Sequence, residues 1–137
     1  MANYAAVART NYFRVTDEEK YQKLFKNLRP EGHVVDFSCV VDDQIWHGFG
    51  AFTDITYGDE EHSYSDIDIF ITKLQDILPD DEAFIYVESG HENLRAVTGY
   101  YTVATKKEIR YGNMCEQAAR VAGELLGDPE WKTQLEY

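Results

Sequence analysis

Two cysteines in 137 residues, Cys39 and Cys115, are too few for a disulfide framework, and without C-x-x-C spacing they form neither a redox pair nor a zinc knuckle. They read as buried free thiols in a reducing cytosol. No apolar run approaches the roughly twenty residues of a membrane span. The opening MANYAAVART lacks the basic-then-apolar order of a secretory leader, so the chain reads as soluble and cytoplasmic. G-x-S-x-G, H-E-x-x-H, P-loop and dinucleotide fingerprints are all missing, which removes the commonest signatures of catalysis and cofactor binding. Gly48-Phe49-Gly50 is a lone G-x-G inside a strand pattern, not a phosphate cradle. His33, His47, His62 and His91 never recur at zinc-ligand spacing, and His47 reads as a satisfied core or sheet-face histidine. No cofactor is implied.

The scarcest item is positive charge in the middle of the chain. Between Asp42 and Glu92, Lys73 alone stands against fourteen Asp and Glu residues. Residues 1–41 carry six basic and five acidic side chains, and 93–137 carry six of each. The net charge of −12 therefore belongs to the central segment. Such a field repels nucleic acid and anionic membranes and attracts basic partners. With 44% apolar residues and this length, the composition suits one globular domain, 1–137, with a sizeable core.

Periodicity then sets out the elements. Residues 4–15 form an extended run with a break near Thr10–Asn11. Thr16 with Glu19 makes a capping box, and Tyr21, Leu24, Phe25 and Leu28 give one helical face that Pro30 and Gly32 end. Val35, Phe37, Cys39 and Val41 alternate as a strand, Asp42-Asp43 marks a turn, and 45–52 return. After a polar loop over 53–64, Ser65 is expected to cap a second helix that Pro79 stops. Strands follow at 83–89, 94–105 and 108–111. Asn113 opens a last helix whose core face combines Met114, Ala118, Val121 and Leu125 with Cys115, Ala119, Ala122 and Leu126. The sum is α+β: a mostly antiparallel sheet of five to six strands with three helices.

A constant offset of 49 carries Thr16-Asp17 onto Ser65-Asp66 and Pro30 onto Pro79, and Gly50 onto Gly99. A duplication would give two α-β-β units, 16–53 and 65–102, with the N-terminal strand and 108–111 extending their sheet. Chance alignment of a few positions is the other reading.

Within the acidic segment, Asp54, Asp59, Glu60, Glu61, Asp66 and Asp68 fall in fifteen residues, and Asp80, Asp81 and Glu82 form a second cluster. The spacing is not that of an EF-hand. A solvated loop before a capped helix needs no function. A recognition surface uses the same carboxylates to meet Lys and Arg of a partner, and one lysine in the whole segment is unlike the mixed charge of ordinary surfaces. Lys20, Lys23, Lys26 and Arg29 on the first helix read as a solvent face, or as cations that pair with the acidic middle of a second copy in a homodimer. Tyr12, Tyr57, Tyr64, Tyr100, Tyr101 and Tyr111 suit either a sheet or an interface.

In this charge field and size the chain resembles the small acidic antirestriction and anti-CRISPR inhibitors of phages and conjugative elements, and NYAAVARTNYFRV is similar to proteins of bacterial mobile elements. The resemblance implies a non-enzymatic inhibitor that binds the basic surface of a nucleic-acid-binding defence complex, its carboxylates mimicking phosphates. Neutral ends favour a local acidic patch over whole-body mimicry. Two other readings stand beside it. One is a divalent-metal-dependent small enzyme or metal-binding protein using the 54–68 carboxylates; the other is a structural or oligomeric protein of a mobile element.

Overall fold

The computed structural model describes residues 4–61 and 65–135. In chain order the elements are β1 (Ala5–Thr10), α1 (Glu18–Phe25), β2 (Leu28–Arg29), β3 (Val35–Asp36), β4 (Cys39–Val41), β5 (Gln44–Trp46) and β6 (Phe49–Ala51). Next come β7 (Thr56–Tyr57), β8 (Ser65–Asp66), α2 (Asp68–Gln75), β9 (Phe84–Glu92), β10 (Ala96–Ala104), β11 (Ile109–Asn113) and α3 (Met114–Leu126). The architecture is α+β. Its main sheet has six strands in the order β11-β10-β9-β1-β6-β3, every neighbouring pair antiparallel. A small sheet β2-β7-β8 and the hairpin β4-β5 stand apart.

β1 is central, not marginal as expected. It pairs with β9 along its length, from Ala5 opposite His91 to Thr10 opposite Tyr86, and with β6 at Ala8–Ala51 and Arg9–Gly50. Strand alternation sends Ala6, Ala8 and Thr10 to the covered face and Ala5, Val7 and Arg9 to the other. β9 matches it, with Phe84, Tyr86 and Glu88 inward and Val87, Ser89 and His91 outward.

The covered face packs against α1 and α2 through an aromatic core. Phe13, Phe49, Phe70 and Phe84 are fully buried. Phe13 meets Phe84 edge-on at 5.0 Å, and Phe49 meets Phe70 at 5.5 Å. Burial of such side chains contributes about 1.5–3 kcal/mol each, with edge-to-face contact adding to it. His47 lies in the same core, its Nε2 2.7 Å from a Glu18 carboxylate oxygen and its Nδ1 3.3 Å from the Ser38 hydroxyl.

Local signals were overridden where tertiary pairing competed. Thr16 does not cap α1: its amide and hydroxyl both donate to the Ile77 carbonyl, and Asp17 accepts from the Lys20 amide instead. Ser65 does not cap α2, because Ser65 and Asp66 pair with β7; the helix starts at Asp68, whose amide donates to Asp66 at 3.0 Å. Asn113 does cap α3, accepting from the amides of Cys115 and Glu116. Of the apolar face expected to bury α3, the Cys115, Ala119 and Ala122 edge is half-buried, whereas Met114, Ala118, Val121 and Leu125 lie in solvent, Leu125 84% and Val121 46% exposed. Cys39 and Cys115 are both free, but Cys39 is exposed on β4 and Cys115 half-buried, so neither fits the expected buried thiol.

A helix followed by a hairpin does occur twice. The pairings are not equivalent, however. The first hairpin, β3 with β6, meets β1 through its second strand, and the second, β9 with β10, through its first. The two hairpins flank β1 from either side.

Candidate functional site

Sheet formation buries one carboxyl group among the described residues. Glu88 shares the inward parity of Phe84 and Tyr86 on β9, and it is 4% exposed. An unsolvated carboxyl group is costly unless its oxygens are hydrogen-bonded. Tyrosines on three neighbouring strands or their extensions supply the donors. The Tyr86 hydroxyl donates to Oε1 at 2.8 Å, the Tyr4 hydroxyl donates to Oε2 at 3.1 Å, and the Tyr100 hydroxyl also donates to Oε2. Tyr86 in turn accepts from the Ile55 amide at 3.3 Å, which fixes the loop carrying Asp54. Burial first, then the hydrogen bond to Glu88, pushes the Tyr86 and Tyr100 hydroxyls far above the ordinary tyrosine value, so both remain donors.

Glu88, Tyr86 and Tyr100 of this group line an open cleft of about 420 Å³. Asp54, Ile55 and Thr56 form one wall with Asp66, Ile67 and Asp68; Tyr111, Asn113 and Glu116 form the other. Asp54, Asp66, Asp68, Glu88 and Glu116 thus surround one space, and no lysine, arginine or histidine is among the described residues that line it. Burial, and then the neighbouring Asp66 charge, raises the Asp68 carboxyl above its usual range, while a hydrogen bond with Tyr111 opposes the shift. Carboxylates beside tyrosine rings suit an organic cation, an ammonium or guanidinium, through charge pairing and contact with the rings.

The nine residues singled out in the sequence divide into groups. Asp54, Asp66 and Asp68 converge on the cleft. Asp59 sits outside it, 3.3 Å from Lys73 Nζ, with its other oxygen bonded to the Glu61 amide. Glu60 and Glu61 are exposed on the loop before the undescribed residues 62–64, where His62 and Tyr64 fall. Asp80, Asp81 and Glu82 lie just before β9, and none of them lines the cleft. There Arg14 answers two of them: Nη2 is 3.0 Å from Asp81, Nε is 2.9 Å from Glu82, and the guanidinium stacks over Trp46. Glu88, Tyr4, Tyr86 and Glu116 are not among the site residues the sequence suggests, and Tyr100 is named there only as a tyrosine suited to a sheet or an interface. The parity of Glu88 within FIYVES was the available signal. Among the described residues no group of three His, Cys, Asp or Glu is placed to hold a metal ion. No helix among them is long and apolar enough to cross a membrane.

No protein-family model matches the chain, and comparisons with curated proteins and with solved structures find no significant match.

Proposed function

We propose that the protein is a non-enzymatic, cytoplasmic binding protein that captures a lysine or arginine of a basic partner in the tyrosine–carboxylate cleft. The observation that carries this reading is the convergence of five carboxyl groups and no cation on one cleft with an aromatic floor. The partner class it suits is a nucleic-acid-binding protein or nuclease complex, whose Lys and Arg surface normally meets phosphate. Binding there would inhibit it, in the manner of the antirestriction and anti-CRISPR inhibitors. Arg14 and Lys73 already neutralise part of the outlying acid, so the cleft, not an extended phosphate-like track, makes the contact. Long-range attraction from the net charge of −12 speeds the encounter and makes it salt-sensitive.

The test is affinity capture from a lysate of a bacterial host at low and at high salt, with the wild type and with Asp54→Asn/Asp66→Asn/Asp68→Asn. A nucleic-acid-binding protein retained at low salt, released at high salt and lost with the triple variant is the expected result. Equal capture by both proteins would put the contact elsewhere.

A further inference from the structure

Among the described residues, no helix lies over β1 and β9 on the second face of the main sheet. Val7 is 54%, Val87 42% and Val97 53% exposed. Alternation assigns the outward positions of β1, β9 and β10, and they include Arg9 and His91 but no aspartate or glutamate. In a chain with 25 acidic residues, none occupies an outward position on these three strands, and Glu88, which borders the groove described next, has its side chain on the other face. A groove of about 450 Å³ crosses the outward face, with Val7, Val87 and Ser89 in its floor and Met114 and Gln117 of α3 along one side. Met114 rests on Gly99, where an added Cβ would lie 3.2 Å from its sulfur. Beyond that contact the stripe Val121–Leu125 on α3 is uncovered.

We infer that a second copy of this chain docks on this face, laying the Val121–Leu125 stripe of its α3 into the groove over Val7 and Val87. Both halves of the missing contact, an uncovered amphipathic helix and an unfilled groove beside it, lie on one chain. A two-fold axis satisfies each with the other, since residue i meets j and j meets i. Charge favours the same pairing. Two bodies of −12 repel each other over most of their surface, and the acid-free face is where they approach at least cost. The exposed Glu124 beside the stripe then meets a face that carries Arg9. This inference is independent of the cleft, which opens on the opposite face, and it uses a different surface from the lysines of α1.

Sedimentation equilibrium of the full chain tests it, with Leu125→Lys, Val7→Lys and, as a control on the exposed β4-β5 hairpin, Val40→Lys. All three side chains are more than half exposed, so the fold should survive each change, which circular dichroism checks. The expected result is a wild-type mass of twice 15.8 kDa. Leu125→Lys and Val7→Lys should each weaken the dimer roughly tenfold or more, the effect of losing one apolar contact and burying a charge in its place. Val40→Lys should leave it unchanged. A wild type that stays monomeric to about 100 μM, the concentration range where weak self-association shows, would overturn the inference. So would a dimer insensitive to either groove or helix variant, or one abolished by Val40→Lys.

Discussion

Glu88 and its three tyrosine donors set the chemistry of the cleft, and their energetics can be separated by substitution. Tyr86→Phe removes one donor from Glu88 and leaves the Ile55 amide without its acceptor. It should cost about 1–3 kcal/mol, the range for an orphaned buried polar group, read from urea unfolding. Glu88→Gln keeps the shape, but its amide group must face a hydroxyl that was a donor, so the loss should be smaller than for Glu88→Ala. Asp68 is the residue whose ionisation should report the state of the site. Its folded value is raised, so its contribution to stability is fullest below the ordinary aspartate range and is lost as pH rises through the raised value. Carboxyl NMR should place its midpoint above 3.8, and Asp66→Asn should lower it. Cation binding should accordingly begin to fail, on acidification, before ordinary carboxylates are protonated. Little of this was legible in the chain. Alternation along β9 already puts Tyr86 beside Glu88, but Tyr4 and Tyr100 become its neighbours only when β1, β9 and β10 align, and no local spacing encodes that alignment. The acidity of Asp66 and Asp68 was legible; their convergence with Asp54 was not.

Elements were read well where short-range chemistry decides them. Asn113 caps α3 and Gly127, at φ 68°, closes it in the left-handed conformation, as the sequence suggests. β9 and β10 alternate clearly enough to be found directly. Ser65 misled because the cap signal competes with strand pairing to β7, and the pairing won. The apolar stripe of α3 misled for a different reason: amphipathicity states that a face wants cover, not that the same chain supplies it. The turn at Asp42-Asp43 was correctly placed, and both residues have positive φ, 51° and 64°. That is the geometry for which Asn-Gly is preferred in two-residue hairpins. Asp42→Asn with Asp43→Gly should therefore stabilise the protein by about 0.5–1 kcal/mol, read as a higher urea midpoint at unchanged slope.

For the molecule as a whole, composition gave the size of the charge but not its distribution. Lys73 and Arg14 come from outside the clusters they neutralise, one from α2 and one from the link after β1. Among the described residues, the cleft is where five carboxyl groups converge with no cation in its lining. The most direct measurement is the binding of a fluorescent arginine-rich peptide, at about 50 mM salt where screening is modest, to three proteins. These are the wild type, the cleft variant Asp54→Asn/Asp66→Asn/Asp68→Asn, and a charge-matched control, Glu60→Gln/Asp80→Asn/Asp81→Asn. The control should bind nearly as the wild type does while the cleft variant loses roughly tenfold, about 1.4 kcal/mol. Equal losses in the two variants, or no binding by the wild type, would contradict binding in the cleft.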